Sequence, residues 1–296
     1  MFNDNVNVNN KMKGGLRLSD IIILESKDEL ARIPEGKVLI NTINAYSYNL
    51  AQKDDVFAAS LAKGDYLIPD GVAIVKACKW LKAKSQPKER IAGWDLFVFE
   101  MKRLNETLSD ASLRYADATI RGDATTKRHE GAYETERGSY ETLRYDNEEI
   151  EVKKRVMFMG SSERVLSLIK ERAAVDYPNV EVVTYSPPYK EVFSEEDNRI
   201  IIEAINRAKP DLLWIGMTAP KQEKWTYEHW EELDINCHVG TIGAVFDFYA
   251  GTAQRAPIWW QKCGLEWLYR LMKEPKRMWR RYIIGNPQFV WNVVRE

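Results

Sequence analysis

Six short runs, at about 37–41, 66–69, 155–160, 180–185, 211–217 and 235–240, are rich in Val, Ile, Leu and aromatic residues and stay apolar at successive positions. A strand of that kind keeps no face for water, so its sheet must be covered on both sides. Between the runs lie segments with helical patterning, at about 44–63, 72–84, 94–104, 163–177, 195–209 and 221–233. This alternation predicts an α/β fold built on a mainly parallel sheet with helices on both faces. Ligands of such sheets bind beyond the carboxyl ends of the strands. Attention therefore falls on 42–44, 70–71, 160–162, 218–222 and 241–243.

Two stretches break the pattern. From about 105 to 153 the chain is polar and nearly without aliphatic periodicity, which reads as a surface excursion, either a β-hairpin pair or a partly disordered insertion, with a lid as its functional reading. From Arg255 to Glu296 it carries five of its ten tryptophans and nine basic residues against three acidic ones, a net charge of +6 in a chain whose total is −1. A basic, tryptophan-rich tail on an acidic body predicts contact with something anionic and partly apolar, such as a membrane surface. Pro257, Pro275 and Pro287 are expected to divide this tail into short helices. The expected organisation is an extension and lead-in at 1–36, an α/β domain at 37–252 holding the insertion, and a helical membrane-associating appendage at 253–296. The tail is expected to stay mobile until a membrane or substrate orders it, and its removal to leave the body folded.

Several classes are disfavoured. No run of eighteen apolar residues could span a bilayer, and residues 1–15 lack the apolar core of a signal peptide. Cys78, Cys237 and Cys263 are odd in number and have no C-x-x-C spacing, so they read as reduced thiols of a cytoplasmic protein. No Asp-x-Asp occurs, and His129, His229 and His238 are scattered, which predicts no metal site. His238, inside an apolar run, reads as a satisfied core histidine. The acidic body and the absence of a recognisable module argue against nucleic acid.

Among the strand ends, Asp70 in Pro69-Asp70-Gly71 is placed for general-base work or, equally well on residues alone, for capping the following helix. Thr42 and Asn44 offer hydrogen-bonding side chains, although a helix start explains them too. Gly216 closes a strand before Pro220-Lys221-Gln222-Glu223, where backbone N–H groups and Gln222 could meet phosphate or sugar oxygens. Gly240 and Gly243 repeat that arrangement at the next strand end.

Taken together and in order, Asn41-Thr42-x-Asn44, Pro69-Asp70-Gly71, Arg90-x-x-Gly93-x-Asp95-Leu96, Pro220-Lys221-Gln222-Glu223, Gly240-x-x-Gly243-Ala244-x-Phe246-Asp247-Phe248, Arg255-Ala256-Pro257, Gly264-Leu265-Glu266-Trp267-Leu268-Tyr269-Arg270-Leu271, Glu274-Pro275-x-Arg277 and Trp279-Arg280-Arg281-Tyr282 resemble the WecG/TagA/CpsF family of bacterial glycosyltransferases. The resemblance covers about 37–296 apart from the insertion. The loop after Gly240 departs from it, reading Thr241-Ile242 where a smaller Val-Gly pair is expected.

The resemblance implies a Rossmann-like fold and an inverting, metal-independent transferase without cofactors. Its donor would be a UDP-sugar, most commonly UDP-N-acetylmannosamine, and its acceptor an undecaprenyl-pyrophosphate-linked N-acetylglucosamine, in cell-surface polysaccharide or teichoic-acid-type synthesis. The enzyme would sit peripherally on the inner face of the cytoplasmic membrane; a homo-oligomer stays open. Transfer from UDP-glucose or UDP-N-acetylmannosaminuronic acid, or a non-catalytic UDP- or anion-binding membrane-docking module, are the alternatives. Position by position, Asp70 matches the base. Thr42, Asn44 and Gln222 match the sugar pocket, and Arg90 the acceptor side. Gly216 belongs with the nucleotide loop that Gly240, Gly243 and Asp247 match. Arg270, Arg277 and Arg280 match arginines that stabilise the departing diphosphate.

Overall fold

The structure, a computed structural model, describes residues 15–106 and 153–296. The body is a six-stranded parallel sheet in the order β2-β1-β6-β5-β3-β4. In chain order its strands are β1 (Val38–Ile43), β2 (Tyr66–Pro69), β3 (Lys154–Gly160), β4 (Val180–Tyr185), β5 (Leu212–Gly216) and β6 (His238–Thr241). The helices of the body are α1 (Ala45–Ala51), α2 (Asp55–Ala62), α3 (Val72–Leu81), α4 (described over 93–106), α5 (Glu163–Asp176), α6 (Glu195–Ala208), α7 (Lys221–Glu228) and α8 (Gly243–Tyr249). The tail adds α9 (Ile258–Lys262), α10 (Glu266–Lys273), α11 (Pro275–Trp279), a π-helical turn (Arg280–Ile284) and α12 (Gly285–Arg295).

Both sheet faces are buried, as the strand composition requires. Along β3, Val156 and Phe158 enter one core while Met157 and Met159 enter the other. Leu212 and Trp214 of β5 divide from Leu213 and Ile215 in the same way. The expected mainly parallel, doubly covered α/β sheet is the observed fold. Polar groups at the sheet centre are paired. Thr241 Oγ1 donates to Asn41 Oδ1 at 2.7 Å, and Asn41 Nδ2 donates to the Ser60 carbonyl at 3.0 Å. His238 is indeed a satisfied core residue, held between Glu100 Oε1 and the Pro34 carbonyl, each at 2.9 Å.

Element boundaries differ from the sequence reading for identifiable reasons. The expected helix 44–63 is two, because Asp54 accepts from the Phe57 amide and starts a second helix. The segment expected at 221–233 ends as a helix at Glu228 and continues as a 3-10 turn. The ladder of the last strand runs from His238 to Thr241, so the apolar Ile235 and Cys237 pack without belonging to it. The excursion expected at 105–153 lies almost wholly outside the described residues.

The tail is seated on the body. Phe289 and Val293 of α12 enter a third cluster with Tyr48, Phe57, Leu61 and Ile74, and the Phe289 ring meets Tyr48 edge-on at 5.4 Å. Asn49 Nδ2 donates to the Gly285 carbonyl at 2.7 Å, and Asn292 Nδ2 donates to Asn49 Oδ1 at 3.0 Å. Tyr48 Oη donates to Glu296 Oε2 at 2.6 Å. Removing the tail would therefore strip apolar and polar partners from α1, contrary to the expectation that the body is indifferent to it.

Pro257 and Pro275 begin α9 and α11 as expected, but Pro287 does not break the chain. It lies in the first turn of α12, directly after the π turn, where the Gly285 amide donates five residues back to the Arg280 carbonyl. A widened turn relieves the clash between a proline ring and the carbonyl four residues earlier.

Phe289→Ala should lower the free energy of unfolding by about 3–5 kcal/mol in urea titration, the usual loss for a large ring deleted from a packed core. A loss below about 1 kcal/mol would show that α12 is not part of the folded core.

Candidate active site

Asp70 is the first residue beyond β2, and its amide donates to the Ile43 carbonyl of the neighbouring strand at 2.8 Å. Arg90 is brought alongside because the next amide, of Ile91, donates to the Pro69 carbonyl at 3.1 Å. Its Nε stands 3.5 Å from Asp70 Oδ1, while its Nη1 stands 2.7 Å from Glu266 Oε2 in the first turn of α10. Gly264 makes that approach feasible. It adopts φ +71° in the turn before α10, and a Cβ there would touch Val72 at 3.4 Å.

These groups share one cavity of about 700 Å³, to which Asn44, Tyr46, Lys76, Arg270, Arg281 and Tyr282 also contribute. Asn44 is committed at one end: its Oδ1 accepts from the Tyr46 and Ser47 amides and caps α1. Its Nδ2 is left to meet a ligand. Arg270 lies 5.6 Å from the Phe248 ring centroid, and Arg281 stacks over Tyr46 at 4.4 Å. Stacking holds a guanidinium plane in place without consuming its donors.

The electrostatics follow from this placement. Burial pushes the Asp70 carboxyl above its ordinary value; Arg90, Arg270 and Arg281 pull it down, and Glu266 pushes it up. The net direction is upward, as expected of a carboxylate facing an enclosed cavity whose nearest cation is shared with a second carboxylate. Burial opposes charge on Arg90, but Asp70 and Glu266 outweigh it and hold Arg90 charged. For Arg281 burial wins, and its hold on the proton weakens. Arg90 Nε and Arg281 Nε are buried without a hydrogen bond of good geometry. Unmade hydrogen bonds of this kind, gathered at one cavity, are where a polar ligand gains most.

A second constellation ties the β5 and β6 ends together. Gln222 Oε1 accepts from the amides of Met217 at 3.1 Å and Gly243 at 3.2 Å, while its Nε2 donates to Glu223 at 2.9 Å. Gly243 is required here, since a Cβ would lie 2.2 Å from the Met217 carbonyl oxygen. Glu223 is buried, its Oε2 has no partner, and burial raises its carboxyl to about 7.

Of the residues singled out from sequence, Asp70, Asn44, Arg90 and Arg270 come together at the cavity. Thr42 is half-buried in β1, and Gly240 lies in β6 where a Cβ would strike the Trp214 ring. Gly216 ends β5 under the Phe246 ring, and Asp247 in α8 accepts from Thr252 at 3.2 Å. None of these four, nor Gln222 and Gly243, is among the residues lining the cavity. Arg277 points outward to pair with Glu274 at 2.9 Å, and Arg280 is exposed beside Trp279.

Sequence reasoning gave no role to Arg281 or Glu266, although both stand in the quoted motifs. The resemblance assigned the diphosphate role to Arg280, whereas it is the neighbouring Arg281 that lines the cavity. The outer face of the tail leaves Trp259, Trp279, Ile283 and Trp291 exposed. Among the described residues no helix is long and apolar enough to cross a membrane, and no group of three or more His, Cys, Asp or Glu stands together as metal ligands would.

Comparison with known proteins bears on this arrangement. The model of the glycosyl transferase WecG/TagA/CpsF family matches residues 15–115 and 140–296. The chain belongs to that family. The match omits 116–139, a stretch inside the expected insertion. An N-acetylglucosaminyldiphosphoundecaprenol N-acetyl-beta-D-mannosaminyltransferase of Bacillus subtilis (strain 168) is 25% identical over 87% of this chain and 79% of its own length. The enzyme of the same name from Bacillus spizizenii is 26% identical over 83% of this chain and 74% of its own, and that of Staphylococcus aureus (strain MW2) 23% identical over 88% and 81%. As a WecG/TagA/CpsF member the chain is a glycosyltransferase, and the resemblance carried by its motifs holds.

Glu223 gives this site a measurable pH signature. Its folded-state value of about 7 exceeds the ordinary 4.5, so the folded state holds the proton more tightly. Stability contributed by the protonated form is complete below about 4.5 and is lost as pH rises to about 7. Chemical denaturation of wild type and Glu223→Gln across this window should show the wild type losing stability relative to the variant. Parallel curves would remove Glu223 as the cause.

Proposed function

We propose that this glycosyltransferase moves a hexosamine, N-acetylmannosamine, from its UDP donor to an N-acetylglucosamine carried on undecaprenyl diphosphate, with inversion and without a metal ion. The observation that carries the reading is the shared cavity, in which Asp70 faces Arg90, Arg270 and Arg281. The activity of the relatives supplies the transferred sugar and its acceptor.

Asp70 acts as general base, taking the proton from the acceptor hydroxyl as its oxygen attacks the anomeric carbon. The bond from that carbon to the diphosphate oxygen breaks, and UDP leaves with the electron pair. Arg270 and Arg281 offset the charge on the leaving diphosphate, the service a metal ion performs in enzymes that use one. Arg90 orients the acceptor. Asn44 and Thr42 serve the sugar through β1 and its cap. The ends of β5 and β6 at Gly216 and Gly240, with the start of α8 at Gly243 and Asp247, seat the nucleotide, and Gln222 clamps them in register.

Glu266 has a distinct part. A guanidinium engaging Asp70 in two places would hold it ionised too firmly to accept a proton. By drawing Nη1 to itself, Glu266 leaves Asp70 only the longer contact with Nε. Arg277 and Arg280, on the outer face with the exposed tryptophans, are left to an anionic membrane surface at the inner leaflet.

UDP release from UDP-N-acetylmannosamine should require the lipid-linked acceptor and persist in excess EDTA; a chelator-sensitive rate restored by added cation would overturn metal independence. Asp70→Asn should lower kcat by about 100- to 10,000-fold with the fold intact; full turnover would end the base assignment. Glu266→Gln should move the acidic limb of the kcat/KM profile to lower pH, because the carboxylate it removes raises Asp70. An unmoved limb would show that Glu266 only supports structure.

A further inference from the structure

The charged groups of the cavity gather around Asp70, apart from Lys76 on α3. The rest of the lining is a trough of Val72, Ala73 and Trp80 from α3, with Lys76 between them, and Phe289, Val290 and Val294 from α12. Phe289 is buried and forms the floor, but Trp80, Val290 and Val294 keep 60%, 59% and 57% of their exposure. The α3 wall, from Val72 to Trp80, is about 12 Å long at the helical rise. Large apolar side chains held in water along one line, at the mouth of a cationic site, require an occupant.

We propose that the trough binds the first isoprene units of the acceptor's polyprenyl chain, with the acceptor's diphosphate held at Lys76. This rests on the acceptor reading above and extends it to a subsite. A lipid-linked diphosphate sugar presents sugar, anionic linker and branched hydrocarbon in fixed order. The cavity offers Asp70 and Arg90 to the sugar, Lys76 on α3 to the linker, and the apolar side chains of α3 and α12 to the hydrocarbon. A peptide segment fits poorly, since apolar walls offer nothing to its backbone N–H and C=O groups. A bilayer phospholipid fits poorly too, because its head group belongs at the membrane surface whereas the inner end of the trough opens into the enclosed site.

The test compares kcat/KM for diphosphate-linked N-acetylglucosamine on a long isoprenoid chain with the same head group on a short water-soluble alcohol, in one detergent. Ala73→Trp, which fills the trough, and Val290→Glu, which charges its rim, should each lower the long-to-short ratio by about tenfold, the worth of burying about two methylenes. An unchanged ratio in both overturns the proposal. Binding without turnover is a second reading. Titrating an isoprenyl diphosphate lacking sugar should change tryptophan emission saturably in wild type and not in Trp80→Phe or Val290→Glu. The same response to inorganic diphosphate or to acceptor-free phosphatidylglycerol vesicles would overturn it in favour of an anion or bulk lipid. If Asp70→Asn keeps full turnover, the catalytic reading fails while the emission titration still judges the trough. If that variant is inactive and the ratio is unchanged, the trough alone fails.

Discussion

A carboxylate drawn partly out of water is balanced by nearby positive charge, and the architecture around Asp70 supplies that balance. Burial raises its proton affinity, and the cations that oppose burial come from three places: the segment before α4, helix α10 and the π turn. The balance matters more than either term. Full pairing would give a carboxylate too weak to accept a proton, and no pairing would leave one that never ionises. Glu266 holds the system between these limits by sharing Arg90, so a tail residue sets the condition of a body residue.

That dependence explains why the tail is fastened so thoroughly. Phe289 and Val293 complete a hydrophobic cluster of the body, and the amides of Asn49 and Asn292 pair across the seam. Tyr48 is buried with the Glu296 carboxylate as its partner, and both burial and that partner keep its phenol protonated. The contacts divide the tail into two faces, one packed toward the sheet and the cavity and one carrying exposed tryptophans and arginines. A segment that reads in sequence as uniformly basic and aromatic is, in three dimensions, half core and half surface.

The fold was largely legible because strands buried on both faces must be apolar at every position, a signal that survives without tertiary information. The cavity was legible in part. Asp70 and Asn44 lie at ends of elements whose positions the pattern already implied, whereas Arg90 and Arg270 came from the resemblance alone. Arg281 was not, because the resemblance points to the neighbouring Arg280, and only the packing of the tail against Tyr46 shows which of the two faces the cavity. Glu266 escaped because its meaning depends on an arginine far away in the chain. Pro287 misled for the complementary reason: a proline breaks a regular helix, but a widened turn had already removed the carbonyl it would have struck. Glycines 240 and 243, read as ligand-contacting, also answer a packing demand from Trp214 and the Met217 carbonyl.

Helix α1 deserves a mechanical reading. Its first residue is preceded by Asn44, whose side chain both caps the helix and faces the cavity, and its flank carries Tyr48 and Asn49, which grip α12. It is a short helix with one end at the cavity and its side fastened to the tail. Any displacement of α12 must tilt α1 and so move Asn44. Grafting another tail onto this body would therefore have to keep the partners of Tyr48 and Asn49 or replace α1 with it.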